Sequence, residues 1–115
     1  MNLRLSLIVV VSVALIASGC NRTNASGELP LKEIAGVSLP GHATRLDYQS
    51  FDPQRHLLFI AHLGDSNVIA FNTVTQKVVA TIPNTSMVHG VLVVPQLHRV
   101  YASATGTNEV VAIDE

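Results

Sequence analysis

The sequence predicts an all-β fold assembled from short antiparallel strands. Three observations predict it. The stretch FDPQRHLLFIAHLGDSNVIAFN at 51–72 returns as VVPQLHRVYASATGTNEVVAID at 93–114, an offset of 42 residues with no gap. Apolar runs of strand length alternate with Pro, Gly, Asn and Asp clusters that favour turns. Beyond the first twenty residues, no window of helical length places apolar residues at i, i+3, i+4 and i+7.

Composition narrows the class. Of 115 residues, 48% are apolar, 13% charged and 4% aromatic, and the net charge is −1. The length suits one small domain. The balance is not that of a disordered chain, and it offers no basic surface for nucleic acid. A single cysteine, Cys20, excludes an internal disulfide.

Residues 1–19 have the layout of a signal peptide, expected to be helical. Arg4 supplies the charge, Leu5 to Ala17 is apolar except for Ser6 and Ser12, and Ala17, Ser18 and Gly19 are small. The apolar run falls short of the ~20 residues of a comfortable membrane span. The small-small-Cys ending resembles the lipobox of bacterial lipoproteins, although Ala17 stands where Leu is commonest. That resemblance implies acylation of the Cys20 thiol and cleavage just before it. It places the protein in the bacterial cell envelope, held by lipid at the outer membrane facing the periplasm, or at the cell surface. Asn21 after the cysteine is similar to an outer-membrane sorting context. Residues 20–31 are then the lipidated cysteine and a small, polar tether.

The remainder, 32–115, reads as strands in order. KEIAGVSL at 32–39 is expected to be a strand closed by Pro40-Gly41. Thr44 to Phe51 is the next, ending in the turn Asp52-Pro53-Gln54-Arg55, where Pro presets the turn and Asp can bond its own backbone. Leu57 to Ala61, Val68 to Phe71 and Lys77 to Ile82 follow, separated by turns at 63–66 and 72–76. Val88 to Val94 opens a second cycle with a turn at Pro95, then Arg99 to Ala104, a turn at Gly106, and Glu109 to Ile113.

LLFIA and VIAF are apolar on both faces, whereas a half-buried strand alternates. Antiparallel sheets joined by short hairpins usually expose one face. Burial on both sides suggests sheets stacked face to face, and a period near 42 with four short strands per cycle is the pattern of β-propeller blades. Six columns are identical between the copies: Pro53/Pro95, Gln54/Gln96, His56/His98, Gly64/Gly106, Val68/Val110 and Ala70/Ala112. The expected layout is an outer strand at 32–39, one complete four-stranded antiparallel blade at 44–82, and an incomplete blade at 88–115. A ring of four or more such units needs at least ~170 residues. The chain is therefore read as the N-terminal fragment of a longer product, the alternative being that chains associate to complete a ring.

NVIAFNTVTQKVVATIP and NEVVAID, with the D-P turn and the G-S-N-like turn, resemble the YVTN-type β-propeller repeat of secreted and surface proteins. The resemblance covers roughly 32–115. The naming tetrad departs from it, as Phe59-Ile-Ala-His62 and Tyr101-Ala-Ser-Ala104. It implies that the first strand of each blade lines a central channel. Arg45, Asp47, Tyr48 and His89 are then candidates for the channel mouth, and His62 for a blade rim.

Imidazole and carboxylate suit metal ligation or acid–base work, but no metal-ligand spacing is present and no metal or cofactor is implied. There is no Gly-x-Ser-x-Gly, Walker loop, dinucleotide fingerprint or Cys-x-x-Cys. No catalytic residue is nominated. His56 and His98 are expected to be turn side chains packing on their own sheets. The reading is a lipid-anchored binding module that docks a protein or small-molecule ligand. The alternative is part of a propeller enzyme, lactonase-like or quinone-dependent dehydrogenase-like, with its site on the channel axis.

Overall fold

The computed structural model describes residues 31–115. The expected signal helix, the lipidated Cys20 and most of the tether lie outside the described residues. Seven strands form two antiparallel sheets. The first holds β1 (Gln49–Asp52), β2 (Leu57–His62), β3 (Asn67–Asn72) and β4 (Lys77–Ile82), in sequence order. The second holds β5 (Val88–Val94), β6 (Arg99–Ala104) and β7 (Glu109–Asp114).

Local chemistry sets the hairpins. Asp52 folds back on its own turn, its Oδ1 accepting the N–H of Gln54 at 2.7 Å and of Arg55 at 3.2 Å. Asn72 does the same for Val74 and Thr75. Short 3-10 turns follow β2 at Leu63–Asp65 and β5 at Pro95–Leu97. His56 and His98 both adopt left-handed backbone, φ 57° and 51°, as do Ser66 and Asn108 at 55° and 57°. His and Asn are among the residues that tolerate this region best, which accounts for a histidine at the same turn in both copies. Gly64 and Gly106 repeat for a steric reason. A Cβ on either would strike the neighbouring loop, at Thr44 in one copy and Ser86 in the other.

The two sheets pack face to face. Phe59 and Ala61 of β2 stand beside Ala70 and Val68 of β3, their ladder partners. This front face of the first sheet meets Val88, Val91 and Val93 of β5 and Val100 and Ala102 of β6. Each valine or phenylalanine among them taken fully from water contributes roughly 1.5–3 kcal/mol. The reverse of the first sheet is also apolar, with Ile60 and Ile69 buried. Ile34, Val37 and Leu39 border one pocket there with Leu58, Ile60 and Phe71. Both faces of the first sheet thus carry apolar side chains, the reverse less completely covered, with Phe51 exposed.

Three expectations need correction. The strand expected from Thr44 to Phe51 is confined to Gln49–Asp52. Residues 32–39 form no strand: the ladders begin at Gln49, and the segment runs extended and mostly exposed. Its apolar residues border the reverse of the sheet, with Leu39 half-buried, and make no backbone pairing. His98, for its part, does not pack only on its own sheet. Its Nδ1 lies 2.7 Å from Nη2 of Arg55 in the neighbouring sheet. The same guanidinium reaches Asp52 at 3.4 Å and Glu115 at 2.9 Å, so two adjacent turns are tied through one arginine.

Candidate functional site

Four of the nominated residues, Arg45, Asp47, Tyr48 and His89, gather where the first strands of the two sheets approach each other. β5 carries a bulge between Val88 and Val91, so His89 and Gly90 drop out of the ladder. Bulges of this kind re-aim side chains. Ser103 fills the gap, its Oγ accepting the Gly90 N–H at 2.8 Å. The freed carbonyl of His89 accepts the N–H of Tyr48 at 3.2 Å, while the carbonyl of Tyr48 accepts the N–H of Ala61 at 3.0 Å. Residues 47–48 therefore bridge the two sheets just ahead of β1.

This backbone arrangement brings side chains together. Nδ1 of His89 lies 2.8 Å from Oδ2 of Asp47. A carboxylate only accepts, so the imidazole carries its proton on Nδ1 and leaves Nε2 free. Arg45 donates from Nη2 to the same Oδ2 at 3.2 Å. The Asp47 side chain is largely covered, His89 is half-buried, and Arg45 and Tyr48 are exposed. One acceptor oxygen thus holds a guanidinium and an imidazole side by side at the surface. Such a group can bind an anionic or hydrogen-bonding ligand.

His62 goes elsewhere. It ends β2 with 2% of its surface exposed. Its Nε2 lies 2.9 Å from Thr44 Oγ1, and that hydroxyl donates to Asp65 Oδ1 at 3.2 Å. Nδ1 of His62 is buried without a hydrogen-bond partner, and Oδ2 of Asp65 stands 3.9 Å away. Asp65 also accepts the backbone N–H of His42 at 2.8 Å. That bond leads the effects on its carboxyl. Burial works the other way, but the Thr44 hydroxyl, the His42 ring and the nearby His62 join that bond in holding the group below the usual carboxylate range. Gly41 allows the loop to close, with φ 98° and no room for a Cβ beside the Asp65 carboxylate. Loop 41–44 is thereby fastened to the end of β2.

Sequence reasoning missed His42, Thr44 and Asp65 as partners of His62. A signal was present: His62 and Asp65 become Ala104 and Thr107 in the second copy, so the cluster is not part of the repeated framework. The bulge had a signal as well, a glycine inside the apolar run VHGVLVV.

Buried charge occurs at the opposite end of the strands, around Arg55. Burial opposes ionisation of Asp52, but the N–H groups of Gln54 and Arg55 and the Arg55 guanidinium outweigh it and hold the carboxyl low. Glu115 is pushed up by burial and by the negative charge of Asp52.

Among the described residues, no group of three or more His, Cys, Asp and Glu side chains is arranged to hold a metal ion. No helix of the described residues is long and apolar enough to cross a membrane. No protein-family model and no curated protein matches the chain.

Proposed function

We propose that this protein is a lipid-anchored, extracytoplasmic β-propeller repeat protein of the YVTN type, acting as a binding module. Three features support the blade reading: the 42-residue period, the consecutive antiparallel order of the strands, and the face-to-face packing of the two sheets. The binding reading is carried by the bond between Asp47 and His89. These residues hold the same place in successive copies, one period apart, and present Arg45 and His89 Nε2 together where the first strands meet. A ligand spanning two blades at the channel mouth meets a cation and a hydrogen-bonding nitrogen side by side. Nothing in the group supplies an activated nucleophile, which favours binding over catalysis.

Amide NMR titration with a library of short peptides and small carboxylic acids tests this. Shift changes should centre on residues 45–48 and 89–90 and vanish in His89→Ala. Changes centred elsewhere, or unaffected by that substitution, would rule the site out. The anchor is tested separately. Cys20→Ser should move the protein from the membrane to the soluble fraction of the producing bacterium, and unchanged membrane retention would overturn it.

A further inference from the structure

The second sheet has one face that nothing among the described residues covers. Leu92 of β5, Tyr101 and Ser103 of β6, and Val110 and Ala112 of β7 share it, with Leu92 59% and Val110 73% exposed. A shallow depression runs between Gly90, Leu92, Tyr101, Ser103 and Val110.

The repeat says what fits there. Counting back 42 residues, Tyr101, Ser103, Val110 and Ala112 fall on Phe59, Ala61, Val68 and Ala70. Those four belong to the face of the first sheet that is buried against the second sheet. The surface they meet is formed by Val91, Val93, Val100 and Ala102. Counting back again, these correspond to Gln49, Phe51, Leu58 and Ile60 on the reverse of the first sheet. The molecule therefore carries both halves of its own internal interface a second time. One copy lies on the open face of the second sheet. The other lies on the reverse of the first, where Phe51 is 46% exposed and the loosely laid segment 34–39 is the present cover.

We propose that a second copy of this chain docks its Phe51–Leu58–Ile60 face on the Leu92–Tyr101–Val110 face of the first, head to tail, continuing the internal sheet-on-sheet packing. Two different patches meet, so the contact is heterologous and each added copy leaves a fresh open face. The side chains of Ile34, Val37 and Leu39 must swing aside for it to form. The inference rests on the packing between the two sheets and does not require the binding role proposed above.

The test mixes donor- and acceptor-labelled full-length chains in a mild non-ionic detergent and reads energy transfer against concentration. The wild type should associate. Val110→Glu removes one half of the contact and Phe51→Glu the other. Both positions are exposed, so both variants should keep the wild-type circular dichroism. Each variant alone should associate about tenfold more weakly or worse. Mixed together they should recover a 1:1 pair and nothing larger, since one intact half remains on each partner. A monomeric wild type overturns the proposal, as does a longer product in which a further repeat of the same chain fills the face. Association that survives both substitutions, or that only Val110→Glu abolishes, also overturns it. The first outcome points to contact through other segments, the second to two like faces meeting.

Discussion

Asp47 and His89 stand 42 residues apart and meet at 2.8 Å. The repeat thus bonds to itself across the boundary between its two copies. Ser50 Oγ accepts the N–H of Val93 at 3.0 Å, and Arg55 reaches His98 at 2.7 Å. Each of these inter-sheet bonds spans 42 or 43 residues.

The Asp47–His89 bond should stabilise the sheet boundary by about 0.5–1.5 kcal/mol, the usual net worth of a partly exposed hydrogen bond. A double-mutant cycle with Asp47→Ala and His89→Ala, read from urea midpoints, should show coupling of that size. Strict additivity would mean that the bond does not form in solution.

Arg55 should matter more. Its removal leaves the buried carboxylates of Asp52 and Glu115 without their shared cation. Arg55→Ala is expected to cost about 2 kcal/mol, less than for a fully buried pair because the guanidinium is itself partly exposed. Thermal and urea unfolding at pH 7 would show it.

Stability should fall on the acid side. Asp52 and Asp65 both titrate below their ordinary value of 3.8 in the folded protein. Their contribution is complete above that value and is lost as pH drops through the lower folded values. Glu115 has the opposite sign. Its folded value lies above 4.5, so its burial destabilises the protein at neutral pH, and that penalty is relieved on acidification. Asp52→Asn should flatten the loss below about pH 4. An acid limb unchanged by both Asp52→Asn and Asp65→Asn would refute this assignment.

The loop fastened by Asp65 depends on Gly41. Gly41→Ala forces a left-handed backbone on a residue with a Cβ and drives that carbon into the Asp65 carboxylate. A loss of about 1–3 kcal/mol is expected, together with faster amide exchange at His42. Thr44→Ala should act through the same cluster by depriving buried His62 of its remaining partner, at about 1–3 kcal/mol. His62→Ala, the residue already present at position 104, should lower the further cost of Thr44→Ala to that of its exposed bond to Asp65 alone, about 0.5–1 kcal/mol.

The strands were legible because apolar runs and turn residues encode them locally. Lys77 to Ile82 and Val88 to Val94 run between the residues expected. Residues 32–39 were misread for a related reason. Their pattern encodes the ability to cover an apolar surface, and a ladder also requires a partner edge that sequence does not specify. Asp47 and His89 could be placed one period apart, but their contact depends on a bulge at His89–Gly90 that period-counting passes over. The His62 cluster was hidden more deeply. Its partners Thr44 and Asp65 are brought in by a loop that folds back through Gly41, and no periodicity reports such a return.

The one-period span of these three inter-sheet bonds also bears on the order of events during synthesis. Every hairpin closes a loop of a few residues, whereas docking closes a loop of one whole period, and closure entropy grows only with the logarithm of that length. The first sheet is complete at Ile82, before any residue of the second has been made. It can stand as a finished template, and β5 is the first strand to reach it. Folding then proceeds by addition, one sheet upon the last, with the entropic cost of each addition held constant by the period.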